Sequence, residues 1–262
     1  MSIQKVLKNL KYLEIKNLSF AYQTKQKEII SLENINLYLK KGEFVSIVGP
    51  SGCGKSTLLS IIANLKSFVH GDIFINEKSV KDTNINIGYM QQYDNLLAWR
   101  TVEKNILLGL EIKKDINISN LKYADNLIKI YGLANFKKNY PSQLSGGMRK
   151  RAALIRTLTI RPKILLLDEA FSSLDFQTKL VVTTDIKNIL DKENMTTLMV
   201  THDITEAIDM SNRVVVLSKR PGKIKNIYDL EGLNKFEDPL KRRSNSKFNK
   251  YFKTILEDLR NG

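Results

Sequence analysis

The segment Gly49-Pro50-Ser51-Gly52-Cys53-Gly54-Lys55-Ser56 fits the pattern G-x-x-x-x-G-K-[ST], which restricts the possible folds more than any other part of the sequence. A β-rich run over 43–48 precedes it, and 55–65, which includes Thr57, has a helical pattern. Glycines let the backbone turn tightly and bring its N–H groups toward phosphate oxygens at the positive end of the next helix. Lys55 supplies a charge for the β- and γ-phosphates, and Ser56 offers a hydroxyl to Mg²⁺. The stretch therefore predicts a phosphate-binding loop.

Strand and helix patterns alternate on both sides of this loop. Residues 13–22 and 32–39 alternate apolar and polar side chains, as half-buried antiparallel strands do. The pattern turns helical over 101–136, where Gly132 is a stop signal. We therefore expect an α/β fold with antiparallel strands first and a helical insert in the middle. Further strands are predicted at 71–75, 85–89, 163–167, 196–201 and 213–217, and further helices at 176–190, 204–210 and, amphipathic, 248–259.

Length, charge and cysteine content bound the class of protein. The 262 residues suit one large α/β domain, or one domain with a smaller lobe. No apolar run of about 18 residues exists, and the polar, basic N-terminus predicts no secretory signal. Cys53 is the only cysteine, so an intramolecular disulfide is impossible. The net charge of +15, with basic residues crowded over 241–253, fits either an anionic partner or a bias in residue usage.

Asp168 and Glu169 follow the apolar run Ile164-Leu165-Leu166-Leu167. In α/β sheets, ligands bind at the carboxyl ends of the strands, which is where these two carboxylates are predicted to emerge. Asp168 would hold Mg²⁺ through its water shell, and Glu169 could polarise an attacking water as general base. The acidic pair is a weak signal alone and becomes strong when it is paired with the phosphate loop.

Leu144-Ser145-Gly146-Gly147-Met148 resembles the LSGGQ signature of ATP-binding-cassette (ABC) ATPases, with Met148 in place of the usual Gln. The resemblance extends over about 13–217. It implies a P-loop NTPase fold of ABC ATPase type, with a mixed central sheet, an antiparallel β lobe and a helical subdomain. We expect an ATPase domain over 12–229, its helical subdomain over about 93–158, and a basic tail over 230–262. Ser145, Gly146 and Gly147 would then face the γ-phosphate held by a second copy of the chain.

Four smaller elements occur in the order that the resemblance requires. Tyr22 stands at the position of the adenine-stacking aromatic, or is a plain edge-strand tyrosine. Gln92 matches the glutamine that reaches Mg²⁺ and the attacking water, although Gln91 is adjacent. Asp175, in Ser172-Ser173-Leu174-Asp175, resembles the loop that crosses the dimer interface. His202, one of two histidines, resembles the switch histidine that contacts the γ-phosphate.

Two further segments, Leu96-Leu97-Ala98-Trp99-Arg100-Thr101-Val102 and Arg220-Pro221-Gly222, resemble importers for nitrate, sulfonate, taurine and pyrimidine-type solutes. The resemblance implies a peripheral subunit on the cytoplasmic face of a membrane, which binds ATP and Mg²⁺. Its partners would be a second copy, membrane permease subunits and, indirectly, a solute-binding protein. Trp99 would be a socket for a partner helix, unless it packs in the core.

Two other functions are compatible with parts of the sequence. One is an ABC ATPase that acts on nucleic acid or ribosomes, for which the charge is the only support. The other is a regulatory nucleotide-binding module without hydrolysis, which Glu169 and His202 oppose. Cys53 is either an inert small residue or a thiol whose pKa the helix N-terminus lowers. All site assignments depend on one expectation, that Lys55, the acidic pair and the Ser145 turn converge on one triphosphate when two chains pair.

Overall fold

The computed structural model describes residues 11–25, 27–81, 85–172, 174–233 and 242–260. The chain divides into two compact units. We call Met1–Ile85 together with Leu190–Gly262 the phosphate-loop unit, and Asn86–Ile189 the helical unit. Within the described residues, no helix is both long and apolar enough to cross a membrane.

The phosphate-loop unit contains an antiparallel sheet of the strands β1 (Leu13–Gln23), β2 (Glu28–Leu39), β4 (His70–Ile75) and β5 (Lys78–Ser79), in the order β2-β1-β4-β5. Its long pair is β1 and β2, which runs from Leu13 opposite Leu39 to Gln23 opposite Glu28. Side chains alternate between buried and exposed along β2, as the sequence predicted.

A second set of strands in the same unit places the phosphate loop. β3 (Phe44–Val48) pairs in parallel with both β8 (Thr197–Val200) and β9 (Arg213–Leu217). Every residue of these three strands is buried, because their apolar runs face packed layers on both sides. The antiparallel strand β10 (Ile224–Asp229) covers the outer edge of β9. Its half-exposed pattern gave no strand signal in the sequence.

Three helices complete the described part of this unit. They are α1 (Lys55–Ile62), α6 (Ile204–Met210) and α7 (Ser246–Arg260). The helix predicted in the tail is confirmed, since α7 buries Phe248 and Ile255 and exposes its lysines. Lys241 of the basic tail lies outside the described residues.

The helical unit contains one pair of parallel strands, β6 (Ile87–Met90) and β7 (Ile164–Asp168), in which Met90 lies opposite Leu167. The helical stretch predicted over 101–136 forms two α-helices and a short 3₁₀ turn. It breaks at Lys114, which has φ +54°, and resumes after Asn117, whose side chain caps the next helix. The helices are α2 (Val102–Ile112), α3 (Ile118–Ile130), α4 (Gly146–Thr159) and α5 (Phe176–Lys192), of which α5 continues three residues beyond Ile189, the last residue of this unit.

Candidate functional site

The phosphate loop connects β3 directly to α1, as predicted. Gly54 is the residue before the helix and has φ +108°, in the region that favours glycine. A Cβ on Gly54 would lie 2.7 Å from Leu32 Cδ2 and 3.0 Å from the Ser31 carbonyl oxygen. Glycine is therefore required here both by the backbone conformation and by the space beneath the loop.

Lys55 lies inside the loop that precedes it. Its ammonium group donates to the Gly49 carbonyl oxygen at 2.8 Å and to the Pro50 carbonyl oxygen at 2.9 Å. The side chain is only 6% exposed, so the loop holds the charge at its centre. The charge, the backbone N–H groups and the positive end of α1 together form an anion-binding concavity.

Tyr22 lies beside the first turn of α1. Its hydroxyl shares a hydrogen bond of 2.8 Å with Thr57 Oγ1. Lys66 Nζ is 5.1 Å from the centroid of its ring, and the Phe20 ring meets it edge to face at 5.0 Å. Tyr22 is therefore fixed next to the loop by both its hydroxyl and its ring, while adenine stacking stays a prediction.

Cys53 is buried in the loop, with an exposed fraction of 1%. Burial raises the pKa of its thiol, and this effect outweighs the opposing influence of Lys55 and of nearby backbone N–H groups. The hypothesis that the helix N-terminus lowers this pKa is therefore wrong. The thiol serves as a small packed group, which fits the inert alternative.

Gly222 supports the phosphate loop from behind, a role that the sequence did not reveal. Its N–H donates to the Ser31 carbonyl at 2.9 Å, and its carbonyl accepts from the Glu33 N–H at 3.0 Å. A Cβ on Gly222 would lie 2.2 Å from the Cys53 carbonyl oxygen. Only a residue without a side chain allows the two backbones to approach so closely. The adjacent Pro221, which with Gly222 is typical of a tight turn, was the available signal in the sequence.

His202 lies at the same edge of the sheet as the phosphate loop. Because β3 and β8 are parallel neighbours, their carboxyl ends lie side by side, and the Thr201 N–H donates to the Ile47 carbonyl at 3.1 Å. His202 follows Thr201 and is exposed. The phosphate-loop unit by itself therefore brings His202 and the phosphate loop to one sheet edge.

In the helical unit, β6 and β7 bring Gln92 and Asp168 to another strand end. Tyr89 donates its hydroxyl to Asp168 Oδ2 at 3.1 Å. Gln92 Nε2 donates to Ser172 Oγ at 3.3 Å, whereas Gln91 accepts from the Asn95 amide at 2.9 Å. Of the two glutamines, Gln92 is the one whose side chain reaches the segment after β7, which supports the predicted register.

The backbone of Gln92 is held by Lys150 of α4, which donates to its carbonyl oxygen. Lys150 is buried, and desolvation lowers its pKa. A buried ammonium group is costly unless it is hydrogen-bonded, so this contact ties Gln92 to the helix that begins at the signature segment.

Mg²⁺ prefers oxygen ligands, and in nucleotide sites it takes one or two carboxylates together with substrate phosphates. In the helical unit, Asp168 and Gln92 supply a carboxylate and an amide oxygen at adjacent strand ends. In the phosphate-loop unit, the exposed Ser56 carries a hydroxyl. Across the described ranges, no cluster of three His, Cys, Asp or Glu residues forms a dedicated metal cage. Each of these oxygen donors is of a type that Mg²⁺ takes beside substrate phosphates, and their convergence on one ion stays a prediction.

Glu169 has φ +48°, a left-handed conformation that costs about 1 kcal/mol or more for a residue with a side chain. The turn that follows stabilises it, because Ser172 donates both its N–H and its hydroxyl to the Glu169 carbonyl, at 3.2 and 2.9 Å. Such conformations concentrate at active sites. The backbone thus turns Glu169 away from the direction that β7 would otherwise continue.

The signature segment forms the N-terminus of α4. Ser145 Oγ accepts from the Met148 N–H at 3.3 Å, so Ser145 is the predicted N-cap and the contact does not involve the Met148 side chain. A Cβ on Gly147 would lie 3.0 Å from Thr178 Cγ2, whereas Gly146 has ordinary room. Close packing requires glycine at 147, and Gly146 leaves the helix end open to an anion.

Asp175 caps α5, since its Oδ1 accepts from the Thr178 N–H at 3.0 Å. This backbone hydrogen bond is the main cause that lowers the pKa of Asp175. The structure thus gives Asp175 a capping role, and its predicted role at a dimer interface stays a prediction. Ser173 of the same loop lies outside the described residues.

Trp99 is 76% exposed, so the alternative that it packs in the core is wrong. The segment around it is nevertheless fixed. Asn105 is fully buried, and its side chain accepts from the Leu97 N–H at 2.7 Å and donates to the Arg100 carbonyl at 3.0 Å. An indole held outward on a rigid turn is typical of a protein contact.

The phosphate loop, the acidic pair and the helix-capping Ser-Gly-Gly turn define an ATP-binding-cassette ATPase. The sequence model of the family described as "ABC transporter" matches residues 32–172. The chain belongs to this family and is an ABC transporter ATP-binding subunit with ATPase activity.

Relatives and solved structures resemble the chain over most of its length. It is 40% identical to an aliphatic sulfonates import ATP-binding protein of Bacillus cereus over 88% of this chain and 89% of that protein. It is 36% identical to a nitrate import ATP-binding protein of Synechocystis over 81% of this chain and 80% of that protein. A solved dimeric structure of the ATP-binding cassette MJ0796, in a post-hydrolysis state bound to ADP and Pi, matches with a TM-score of 0.72 and 31% identity. That match covers 84% of this chain and 99% of that one.

Proposed function

We propose that the chain is the ATP-hydrolysing subunit of an importer for a small anionic or heterocyclic solute. Its relatives include a sulfonate and a nitrate import protein, and both solutes are small anions. We place it on the cytoplasmic face of a membrane, bound to permease subunits that receive solute from a binding protein. The observation that carries the proposed permease contact is Trp99, an exposed indole on a fixed turn, seven positions after Gln92.

Two copies would bind ATP head to tail, an arrangement supported by the dimeric cassette that resembles the chain. In each site, Lys55 and the loop 49–57 would hold the phosphates, through the backbone N–H groups of its residues other than Pro50, with Tyr22 against the adenine. Ser145, Gly146 and Gly147 of the second copy would close over the γ-phosphate, and Asp175 would lie at the interface. The triphosphate then joins two positive helix ends, and its cleavage lets the dimer open.

Hydrolysis would proceed by positioning and electrostatics. Glu169 accepts a proton from the attacking water, and His202 donates a hydrogen bond to the γ-phosphate oxygens. Gln92 orients the water and connects it to the turn that carries Trp99. Ser56, Gln92 and Asp168 would hold Mg²⁺, which neutralises charge on the phosphate oxygens when it is bound.

Hydrolysis is tested by Glu169→Gln. We expect ATP binding to persist while turnover falls about 100-fold or more, because the amide cannot accept the proton. Glu193→Gln, at an exposed position of the same charge type, is the matched control and should keep wild-type turnover. Near-normal turnover in Glu169→Gln would remove Glu169 from the role of base.

Transport is tested by co-expression with permease subunits from neighbouring genes, followed by affinity capture and solute uptake into vesicles. The Trp99→Ala chain should no longer capture the permease, while its own ATPase activity persists. Ile130 is another exposed apolar residue of the helical unit, and the Ile130→Ala chain should still capture the permease. Uptake is measured with sulfonate, nitrate and an uncharged solute. Capture of ribosomes or DNA without permease would contradict the importer.

A further inference from the structure

The basic tail reaches the far end of α6, the helix that begins just after His202. Arg242 is only 2% exposed, and its guanidinium donates to the carbonyl oxygens of Ile208 and Asp209. A helix leaves the carbonyls of its last turn without intrahelical partners, and a cation there also interacts favourably with the helix dipole. Arg242 therefore caps α6 at its C-terminal end.

Arg243 forms a second contact with the same turn. It donates two hydrogen bonds to Asp209 Oδ2, at 2.6 and 3.0 Å. Asp209 is 6% exposed, and its burial raises the pKa of the carboxyl while Arg243 opposes that shift. We call Arg242 and Arg243 together the arginine clamp.

The tail helix fixes the clamp to the rest of the phosphate-loop unit. Phe248 and Ile255 of α7 are buried in one cluster with Ile204 and Ile208 of α6. At its other end α7 is held to β10, where Asp258 accepts from the Tyr228 hydroxyl. The tail helix that follows the clamp is therefore attached to the rest of the unit near its start, at its middle and near its end.

At its N-terminal end, α6 is joined rigidly to His202. Asp203 caps the helix by accepting from the Glu206 N–H at 3.1 Å. Thr201 donates its hydroxyl to Glu206 Oε2 at 2.7 Å, and its N–H donates to β3. His202 thus lies between two residues that are both hydrogen-bonded to α6. A shift of α6 is therefore expected to move the backbone of His202.

We propose that the arginine clamp is a positioning element for His202. By fixing the C-terminal end of α6, it sets the place of the imidazole at the edge of the sheet beside the phosphate loop. Only the expected effect of the clamp on turnover rests on the proposed function, in which His202 contacts the γ-phosphate. The mechanical link from the clamp to His202 stands on the hydrogen bonds within the phosphate-loop unit.

Loss of the clamp should lower turnover and leave nucleotide affinity unchanged. Displacing a group by about 1 Å can cost about 100-fold in rate, so Arg242→Ala is expected to lower kcat by about tenfold or more. KM for ATP should stay at the wild-type value, because Lys55 is held by the Gly49 and Pro50 carbonyl oxygens of its own loop. Arg242→Lys should restore part of the loss, since an ammonium group can still donate to both carbonyls.

The chain itself offers an internal control, because it contains only two histidines. A proton–carbon correlation spectrum of the imidazole Cε1–H groups therefore shows two signals, which His70→Gln assigns. His70 begins β4 in the antiparallel sheet. Without nucleotide, Arg242→Ala should shift or broaden the His202 signal and leave that of His70 in place. Lys253→Ala removes an exposed cation from the same tail helix and should change neither signal.

A folded Arg242→Ala protein with an unmoved His202 signal overturns the proposal. Where His202→Ala lowers turnover, an unchanged kcat in Arg242→Ala overturns it as well. If Arg242→Ala does not fold, Arg243→Gln takes its place, because Arg243 is partly exposed and its loss leaves the Arg242 cap intact. It should move the same signal by a smaller amount, and no movement overturns the proposal. The proposed function is tested separately by His202→Ala: wild-type turnover there would refute the role of His202, whereas the spectrum would still report the mechanical link.

Discussion

Gly222→Ala is the change that most directly tests how the phosphate loop is supported. The new Cβ would lie 2.2 Å from the Cys53 carbonyl oxygen, where real contacts begin near 3 Å; the oxygen belongs to the backbone, and the Cβ is fixed directly to Cα. One of the two segments must therefore move by about 1 Å, since no flexible side chain can yield instead. The Gly222 segment is held by two hydrogen bonds to β2, so we expect much of the movement in the phosphate loop.

This displacement should weaken ATP binding and reduce stability together. A loss of about 1.4 kcal/mol in binding corresponds to a tenfold higher Kd, which is the smallest effect that we expect. Overpacking of this kind also costs about 1–3 kcal/mol of stability, and in a chain of this size each kcal/mol lowers Tm by about 2–4 °C.

The assay is titration of the purified chain with a fluorescent ATP analogue and Mg²⁺, together with thermal unfolding. Gly132→Ala is the matched control, because this glycine also has a left-handed backbone but a Cβ there would meet nothing closer than 3.9 Å. It should unfold at a slightly lower temperature and bind nucleotide normally. A Gly222→Ala chain that binds ATP with wild-type Kd would refute the argument that this backbone contact shapes the loop.

Three further outcomes follow from the contacts described above. Lys55→Ala should lose ATP affinity, because the buried ammonium is the central charge of the loop, and an unchanged Kd by equilibrium dialysis would contradict that assignment. Cys53 should react slowly with a maleimide in the folded chain at neutral pH and fully in guanidinium, since its pKa is raised and it is buried; rapid labelling of the native chain would count against this. Arg213→Met should lower the free energy of unfolding in urea by about 3–5 kcal/mol, because it leaves the buried Glu43 without its partner at 2.6 Å. Lys223→Met, which removes an exposed ion pair, should lower it by less than about 1 kcal/mol, and equal losses would refute the role of burial.

Local pattern was sufficient to predict the buried strands and the phosphate loop. β3, β8 and β9 are continuous apolar runs, and the glycine spacing around Lys55 has few other structural solutions. The cap at Ser145 was also predictable, because a serine before two glycines and a helix has an obvious backbone partner.

Long-range contacts were not predictable from the sequence. Gly222 touches Cys53 across a separation that no local pattern reports, and the arginine clamp depends on where the tail helix docks. The prediction that the pKa of the Cys53 thiol is lowered was wrong for the same reason. The sequence shows that Cys53 lies near a helix N-terminus, but it does not show that the thiol is buried. Exposure of Trp99 likewise required the fold, since an apolar residue near a helix is usually packed.

Trp99 is the only tryptophan of the chain, and most of its indole faces solvent. When the protein is excited at a wavelength that tryptophan absorbs and tyrosine does not, its emission therefore originates from a single chromophore on the outward turn of the helical unit. Because Asn105 holds that turn in place, a change in the emission wavelength or quenching of Trp99 reports a change in the surroundings of the indole and not a movement of the turn. Trp99 is thus an intrinsic fluorescence probe. Its emission should shift to shorter wavelength whenever another macromolecule shields the indole from water.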